Sequence, residues 1–286
     1  ESGLNHYMGI AISAFVATII AWASTLLPAE WTSTPWHPLL ACALFIVPGV
    51  PLINFVDDML DNYIQVGIVR AVNTLLMVAA MAFGIAFAVK LCHIDNFFPT
   101  ISMVPHHKYW EYAIAAAISA MGFSMIFNIQ RRLLWVVALG GIIAVCTRNF
   151  VNLGPSTNNI GLDMGLVIGS FSGSVLVSLI AIKAVHWFHV PNHVLTIPSV
   201  IPMIPGVLMY RMLFGLINMN VQSIDQVTPL MKAIESGVNS GLIIMCIALG
   251  VAIPNIFGRR FIAASKNKRL AEILKERRAR GKFIEW

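Results

Sequence analysis

The residues with the most to offer chemically are charged and amide side chains embedded in apolar runs. Asn54, Asp57, Asp58 and Asp61 fall at i, i+3, i+4 and i+7, which places all four on one face of a helix. Three carboxylates on one stripe repel each other, so proton uptake by at least one is expected. Asp58, one turn from Asn54, is the better candidate; Asp57 and Asp61 read equally well as a solvated helix end. Arg211 sits well inside an apolar run, where an unpaired charge costs roughly 2.5 to 3.5 kcal/mol on insertion scales. A guanidinium can hold a carboxylate through two parallel hydrogen bonds. The structural alternative is a salt bridge from Arg211 to Glu235 or Asp58 that locks helices together. Glu235 and Asn239 are one turn apart, and Arg70, Asn73 and Thr74 share a helix face; all are expected to point inward. Lys183 and Arg148 lie close enough to the ends of their runs to snorkel and read as positional.

Other chemistries find less support. His186, His189 and His193 have a metal-like spacing, but Pro191 interrupts it, and no metal site or cofactor is expected. His106 and His107 read as an outer-loop pair that can titrate near neutral pH. Cys42, Cys92, Cys146 and Cys246 show no Cys-x-x-Cys spacing, so neither a disulfide framework nor a zinc site follows. A membrane-embedded enzyme using Asp57 and Asp58 on a divalent cation would be the catalytic reading. No His-Glu pair, serine motif or glycine-rich phosphate loop accompanies them, and the chain is not expected to be an enzyme.

The elements that hold these residues are set by lipid. Of the 286 residues 58% are hydrophobic and only 11% charged, and the mean hydropathy is +0.78, which excludes an ordinary soluble domain. Windows of about 20 apolar residues mark eight candidate membrane helices. They run over 8–27, 37–60, 64–91, 109–129, 133–151, 162–188, 195–217 and 230–256. Ten of the nineteen Lys and Arg residues fall within 259–282, where interspersed Phe261, Ile262, Leu270, Ile273 and Leu274 suit an amphipathic basic helix on an anionic inner leaflet. Lipid, not nucleic acid, is the partner expected for that tail. Positively charged loops stay inside, so the tail and the Gln130–Arg132 loop place both termini in the cytoplasm.

An internal repeat organises the spans. Val47-Pro48-Gly49-Val50 in the second is matched by Ile204-Pro205-Gly206-Val207 in the seventh, 157 residues on. In the following spans Val72-Asn73-Thr74 is echoed by Val238-Asn239-Ser240, each Asn followed at the same distance by Gly84 or Gly250. Matched spans five apart must point in opposite directions, the inverted-repeat arrangement of many secondary transporters. The expected fold is therefore an all-α integral membrane protein of about eight helices from an inverted repeat of five plus five. Residues 1–92 hold the last three helices of an incomplete first repeat, 93–108 an outer connection, 109–257 the complete second repeat and 258–286 the basic tail.

Proline and glycine in the matched spans predict two broken helices, at Pro48, Gly49 and Pro51 and at Pro198, Pro202, Pro205 and Gly206. A break in lipid is tolerated where protein or a water-filled cavity satisfies the freed groups, and a half-helix N-terminus there attracts an anion. Two Pro-kinked structural helices are the bland alternative.

The run Pro48-Gly49-Val50-Pro51-Leu52-Ile53-Asn54, followed by Asp58, Gly67 and Arg70, resembles the signature of the bacterial threonine/serine exporter family. From Tyr109 to about Arg260 the chain is similar to the separate C-terminal component of that family's two-subunit members, through Phe123, Phe127-Asn128, Arg148, Ile201-Pro202, Pro205-Gly206 and Tyr210. The resemblance implies an inner-membrane secondary exporter of small amino acids or small dicarboxylates, driven by protons, with ten spans after a hydrophilic region. That region and the first two spans have no counterpart here, so the expectation is either a fragment of a longer protein or a fold completed by a second subunit or a homo-oligomer. The expected substrate site comprises Pro48, Gly49, Asn54, Asn73, Pro205, Gly206, Tyr210, Arg211 and Asn239, with Asp58 or Glu235 carrying the proton and Asp57, Asp61 and Arg70 as secondary candidates. A scaffold subunit without a pathway of its own is the competing reading.

Overall fold

A computed structural model describes residues 5–23, 26, 48–92, 108–155, 160–188, 190–217 and 227–279. The described chain is helical. Helices α1 (His6–Ala23), α2 (Gly49–Leu60) and α3 (Ile64–Leu91) precede α4 (Tyr109–Ile126) and α5 (Leu134–Asn152). Then come α6 (Leu166–Phe188), α7 (Asn192–Val200), a 3-10 turn over Ile201–Met203, α8 (Gly206–Ile217) and α9 (Val227–Ala279). Five stretches among the described residues are long and apolar enough to cross a membrane: His6–Ala23, Ile64–Leu91, Arg131–Asn152, Leu166–Val185 and Leu230–Gly258. The protein is thus an all-helical, multi-pass membrane protein. Residues 37–47, which begin the expected second span, and the His106-His107 pair lie outside the described residues.

Small residues decide how these helices meet. Lipid tails are as apolar as leucine, so helix association in a membrane relies on close backbone approach and van der Waals contact. Gly173 of α6 is so close to α5 that a Cβ there would lie 2.6 Å from the Ala144 carbonyl oxygen. Gly169, one turn earlier, meets the Arg148 carbonyl in the same way. The neighbouring face of α6 presents Ser174 to Gly250 of α9, and Ser178 Oγ donates to the Val251 carbonyl at 2.8 Å. Helix α6 is therefore clasped between α5 and α9, while large side chains such as Phe83, Phe87, Trp187 and Met231 stay exposed.

Ile53 and Val56 of α2 join Ala144 and Val145 of α5, Val177 of α6, Val200 and Met203 of the broken span, and Ile243, Ile247 and Val251 of α9 in one buried cluster. This core holds α2 against the later helices. Two helices end on asparagine in the left-handed region. Asn62, at φ 67°, closes α2 with Tyr63 N–H donating to the Asp58 carbonyl and Asn62 N–H to that of Met59. Asn128, at φ 55°, closes α4 through the same pair of bonds, from Ile129 to Ser124 and from Asn128 to Met125. Both are Schellman closures, which satisfy the last carbonyls and reverse the chain sharply.

The basic tail is helical and joins the last span directly. Backbone helix continues from the last span through Gly258 to Ala279 without interruption. Its lysine, arginine, alanine, leucine and glutamate residues are strong helix formers, and no proline follows Pro254 to stop it. At 1.5 Å per residue a helix of this length measures about 80 Å, well over the roughly 30 Å of a bilayer core.

Candidate functional site

Proline imposes the break in the seventh span. Pro198 sits inside α7, and Pro202 falls in the 3-10 turn that follows. Pro205 forces the residue before it out of helical geometry, and Ile204 is extended at φ −61° and ψ 130°. Helix α8 then opens at Gly206, and its first intrahelical bond runs from Met209 N–H to the Pro205 carbonyl. Helix α2 opens in the same manner: Pro48 precedes Gly49, and Leu52 N–H donates to the Pro48 carbonyl at 3.1 Å, while the part of the second span before Pro48 lies outside the described residues. Both helices have 12 residues, and the 157-residue offset maps the bounds of one onto the other.

The start of α2 touches the break of the seventh span. A Cβ on Gly49 would lie 2.5 Å from Ile204 Cδ1 and 3.8 Å from Ile201 Cγ1, so Gly49 lets the start of α2 approach the turn between α7 and α8. At the other end of α2, Asp57 Oδ2 lies 3.8 Å from His193 Nε2 on α7. Eight residues forward along α2 thus correspond to eight residues backward from Ile201, and the two segments run antiparallel.

Asp58 Oδ2 makes an ion pair of 2.7 Å with Arg70 Nη1 of α3, in which Arg70 is half exposed and Asp58 mostly covered. Asp57, Asp58 and Arg70 are thus gathered with His193 near the end of α2, and Asp61 forms its C-cap. Of the three histidines with metal-like spacing, only His193 has a described side chain, and it faces Asp57. Asn54 is partly buried one turn before Asp58, and Arg211 is partly buried five residues after Gly206. The side chain of Tyr210 lies outside the described residues.

Three expected inward-facing residues lie elsewhere. Asn73 is exposed and accepts a hydrogen bond of 2.6 Å from Tyr7 Oη of α1. Glu235 and Asn239 are exposed on α9 because Ala233, Gly237 and Ser240 take the packed face, with Ala233 against Gly215 and Gly237 against Met212. Thr74 is buried, but its hydroxyl bonds to the Arg70 carbonyl within its own helix.

Arg148 does not snorkel. It is partly buried, and its guanidinium turns to the break: Nη1 lies 3.4 Å from the Met203 carbonyl oxygen, while Nε and Nη2 each lie 3.3 Å from Asn149 Oδ1. Sequence reasoning missed its direction, although an arginine between Cys146 and Phe150 in an apolar run is itself the signal. A separate cleft of about 530 Å³ opens between Tyr109, Cys146, Thr147, Phe150 and Ile160. Tyr109 Oη bridges its rim to the Ile160 carbonyl at 2.7 Å.

Comparison with known families is consistent with this geometry. Residues 112–257 match the family described as Threonine/Serine exporter, ThrE, and residues 1–92 match a second threonine/serine exporter family, also ThrE. The chain belongs to the threonine/serine exporter family. The two matches divide the exporter where the long connection after α3 divides the helices. Membership supports a membrane transporter of the amino-acid exporter kind rather than an enzyme. No solved structure matches this exporter chain.

Proposed function

We propose that the protein is a proton-coupled secondary exporter that moves a small carboxylate-bearing metabolite, a threonine- or serine-type amino acid or a small dicarboxylate, across the inner membrane. The observation that carries this reading is the contact between Gly49 and the Ile201–Ile204 turn, which brings the Pro-Gly start of α2 against the break that precedes α8 from distant parts of the chain. Paired interruptions in corresponding helices are where transporters built from repeats place their solute. The antiparallel course of α2 and α7 supports an inverted repeat, and the coincident bounds of α2 and α8 support the pairing of second and seventh spans.

In this reading the starts of α2 and α8, at Pro48, Gly49, Pro205 and Gly206, offer backbone N–H groups to a carboxylate. Arg211 supplies a cation and Asn54 a neutral hydrogen bond. Asp58 takes up and releases the proton, and its Arg70 partner moves with that change. Alternating access rocks the α1–α3 unit against the α4–α9 unit, with both termini in the cytoplasm, the basic tail near anionic lipid, and further helices coming from a second subunit or another copy.

Efflux from proteoliposomes loaded with labelled threonine or succinate tests the reading. Export that rises with an imposed proton gradient and falls at least about tenfold in Arg211→Ala is the expected result. Absence of gradient-driven export of either solute by the wild-type protein would contradict it, and is what a scaffold subunit predicts.

A further inference from the structure

Arg148 carries a positive charge inside the span Arg131–Asn152, yet its guanidinium meets only neutral acceptors among the described residues. Those contacts, at 3.3 to 3.4 Å, are long: a guanidinium on a carboxylate closes to roughly 2.7 to 2.9 Å. Arg70 offers the contrast, held by Asp58 at 2.7 Å. A charge placed in a membrane span at a cost is kept where it is used, and Arg148 has no carboxylate of the protein to justify it among the described residues.

Its position gives the use. The Met203 carbonyl closes the 3-10 turn, three residues before Gly206 opens α8. Tyr112 and Ile204 pack on the same core cluster as Met203, so the turn that Arg148 touches also touches Gly49 of α2. The backbone of Arg148 is fixed as well, because Gly169 of α6 packs on its carbonyl. The guanidinium is therefore mounted on rigid helix, aimed at a backbone interruption, and loosely held at its donor end.

We infer that Arg148 binds a carboxylate group of the transported solute at the second break, replacing the long contacts to Asn149 and Met203 by a two-point hydrogen-bonded pair. This rests on the exporter reading and deepens it: with Arg70 engaged by Asp58, Arg148 supplies a cation at the second break. One carboxylate on Arg148 suffices for an amino acid and engages one end of a dicarboxylate.

Calorimetric binding to the purified full chain tests this, with threonine and succinate as carboxylates and threoninamide and succinamide as counterparts in which a neutral amide replaces each carboxylate. The wild-type protein should prefer at least one carboxylate over its amide. Arg148→Gln should weaken that carboxylate on the order of tenfold to a hundredfold and leave the amide unchanged, so that the preference disappears. Arg148→Lys keeps charge and bulk but not the planar fork, and should fold normally while losing about tenfold. Should Arg148→Gln not fold, the Lys variant decides: wild-type affinity in it overturns the assignment. Unchanged carboxylate binding in Arg148→Gln, equal loss of carboxylate and amide, or no binding of either carboxylate by the wild-type chain also overturns it. Charge-selective binding through Arg148 without efflux would remove the exporter reading and leave this assignment standing; efflux with unaltered affinity in Arg148→Gln would do the reverse.

Discussion

His193 Nε2, on the second residue of α7, lies 3.8 Å from Asp57 Oδ2 near the end of α2. Together with the approach of Gly49 to Ile204, this contact fixes the register of two helices that are far apart in sequence. It also places an ionisable pair at the end of α2 away from the break.

An ion pair with partly exposed partners contributes only about 0.2 to 1 kcal/mol. Asp57→Asn and His193→Gln are therefore expected to lower the melting temperature of the purified protein slightly. If the contact opens and closes during transport, each variant will alter the rate of efflux in the same way, and the double variant will add nothing further. Independent, additive changes in the rate would show that the pair does not act as a unit.

Gly49→Ala puts a methyl group where Ile204 Cδ1 stands. The isoleucine tip can move, so the cost in stability should be near the low end of the 1 to 3 kcal/mol typical of overpacking. Efflux should suffer more than stability, and Ile204→Ala in the same chain should restore much of it. A double-mutant cycle on efflux with no coupling between the two positions would deny that α2 meets the broken span in the working protein.

Asp58→Asn is expected to abolish the dependence of efflux on an imposed proton gradient. Exchange of the charges, Asp58→Arg with Arg70→Asp, should recover part of the stability lost in the single variants, because an ion pair can re-form. It should not recover proton-driven efflux if position 58 carries the proton. Full recovery of both would reduce the 2.7 Å pair to a structural link.

Helix packing yields a prediction about magnitudes. Gly173 faces a backbone carbonyl of α5 that cannot rotate away, so Gly173→Ala should destabilise by about 1 to 3 kcal/mol or more. Ser178→Ala removes a buried hydrogen bond to the Val251 carbonyl, which in membrane proteins is worth only about 0.6 kcal/mol. Thermal unfolding in detergent should therefore rank the glycine substitution well above the serine one.

The break of the seventh span was readable because three prolines fall within eight residues there: Pro198 is accommodated in α7, but Ile204 before Pro205 leaves the helix. The membrane class was readable from composition, and the placement of α3, α5, α6 and α9 from apolar length. Which face of each helix is packed was not. In lipid both faces are apolar, so the pattern that marks the core of a soluble helix is absent, as the weak amphipathicity of α4 and α6 illustrates. Hence Glu235, Asn239 and Asn73, which read from the sequence as facing inward, are exposed, whereas Arg148, which reads as an edge residue, turns to the break. The small residues Gly169, Gly173 and Ser174 carried the missing information on facing.

Cysteine cross-linking of the membrane-embedded protein addresses the meeting of α2 with the broken span most directly. In a chain whose native cysteines are replaced, the pair Gly49→Cys with Ile204→Cys should form a disulfide on oxidation, the pair Asp57→Cys with His193→Cys should be joined by a short bifunctional thiol reagent, and excess solute should slow the first. The exchanged pairs, position 49 with 193 and 57 with 204, should remain unlinked. Cross-linking of the exchanged pairs in place of the direct ones would contradict the antiparallel meeting of α2 and the broken span.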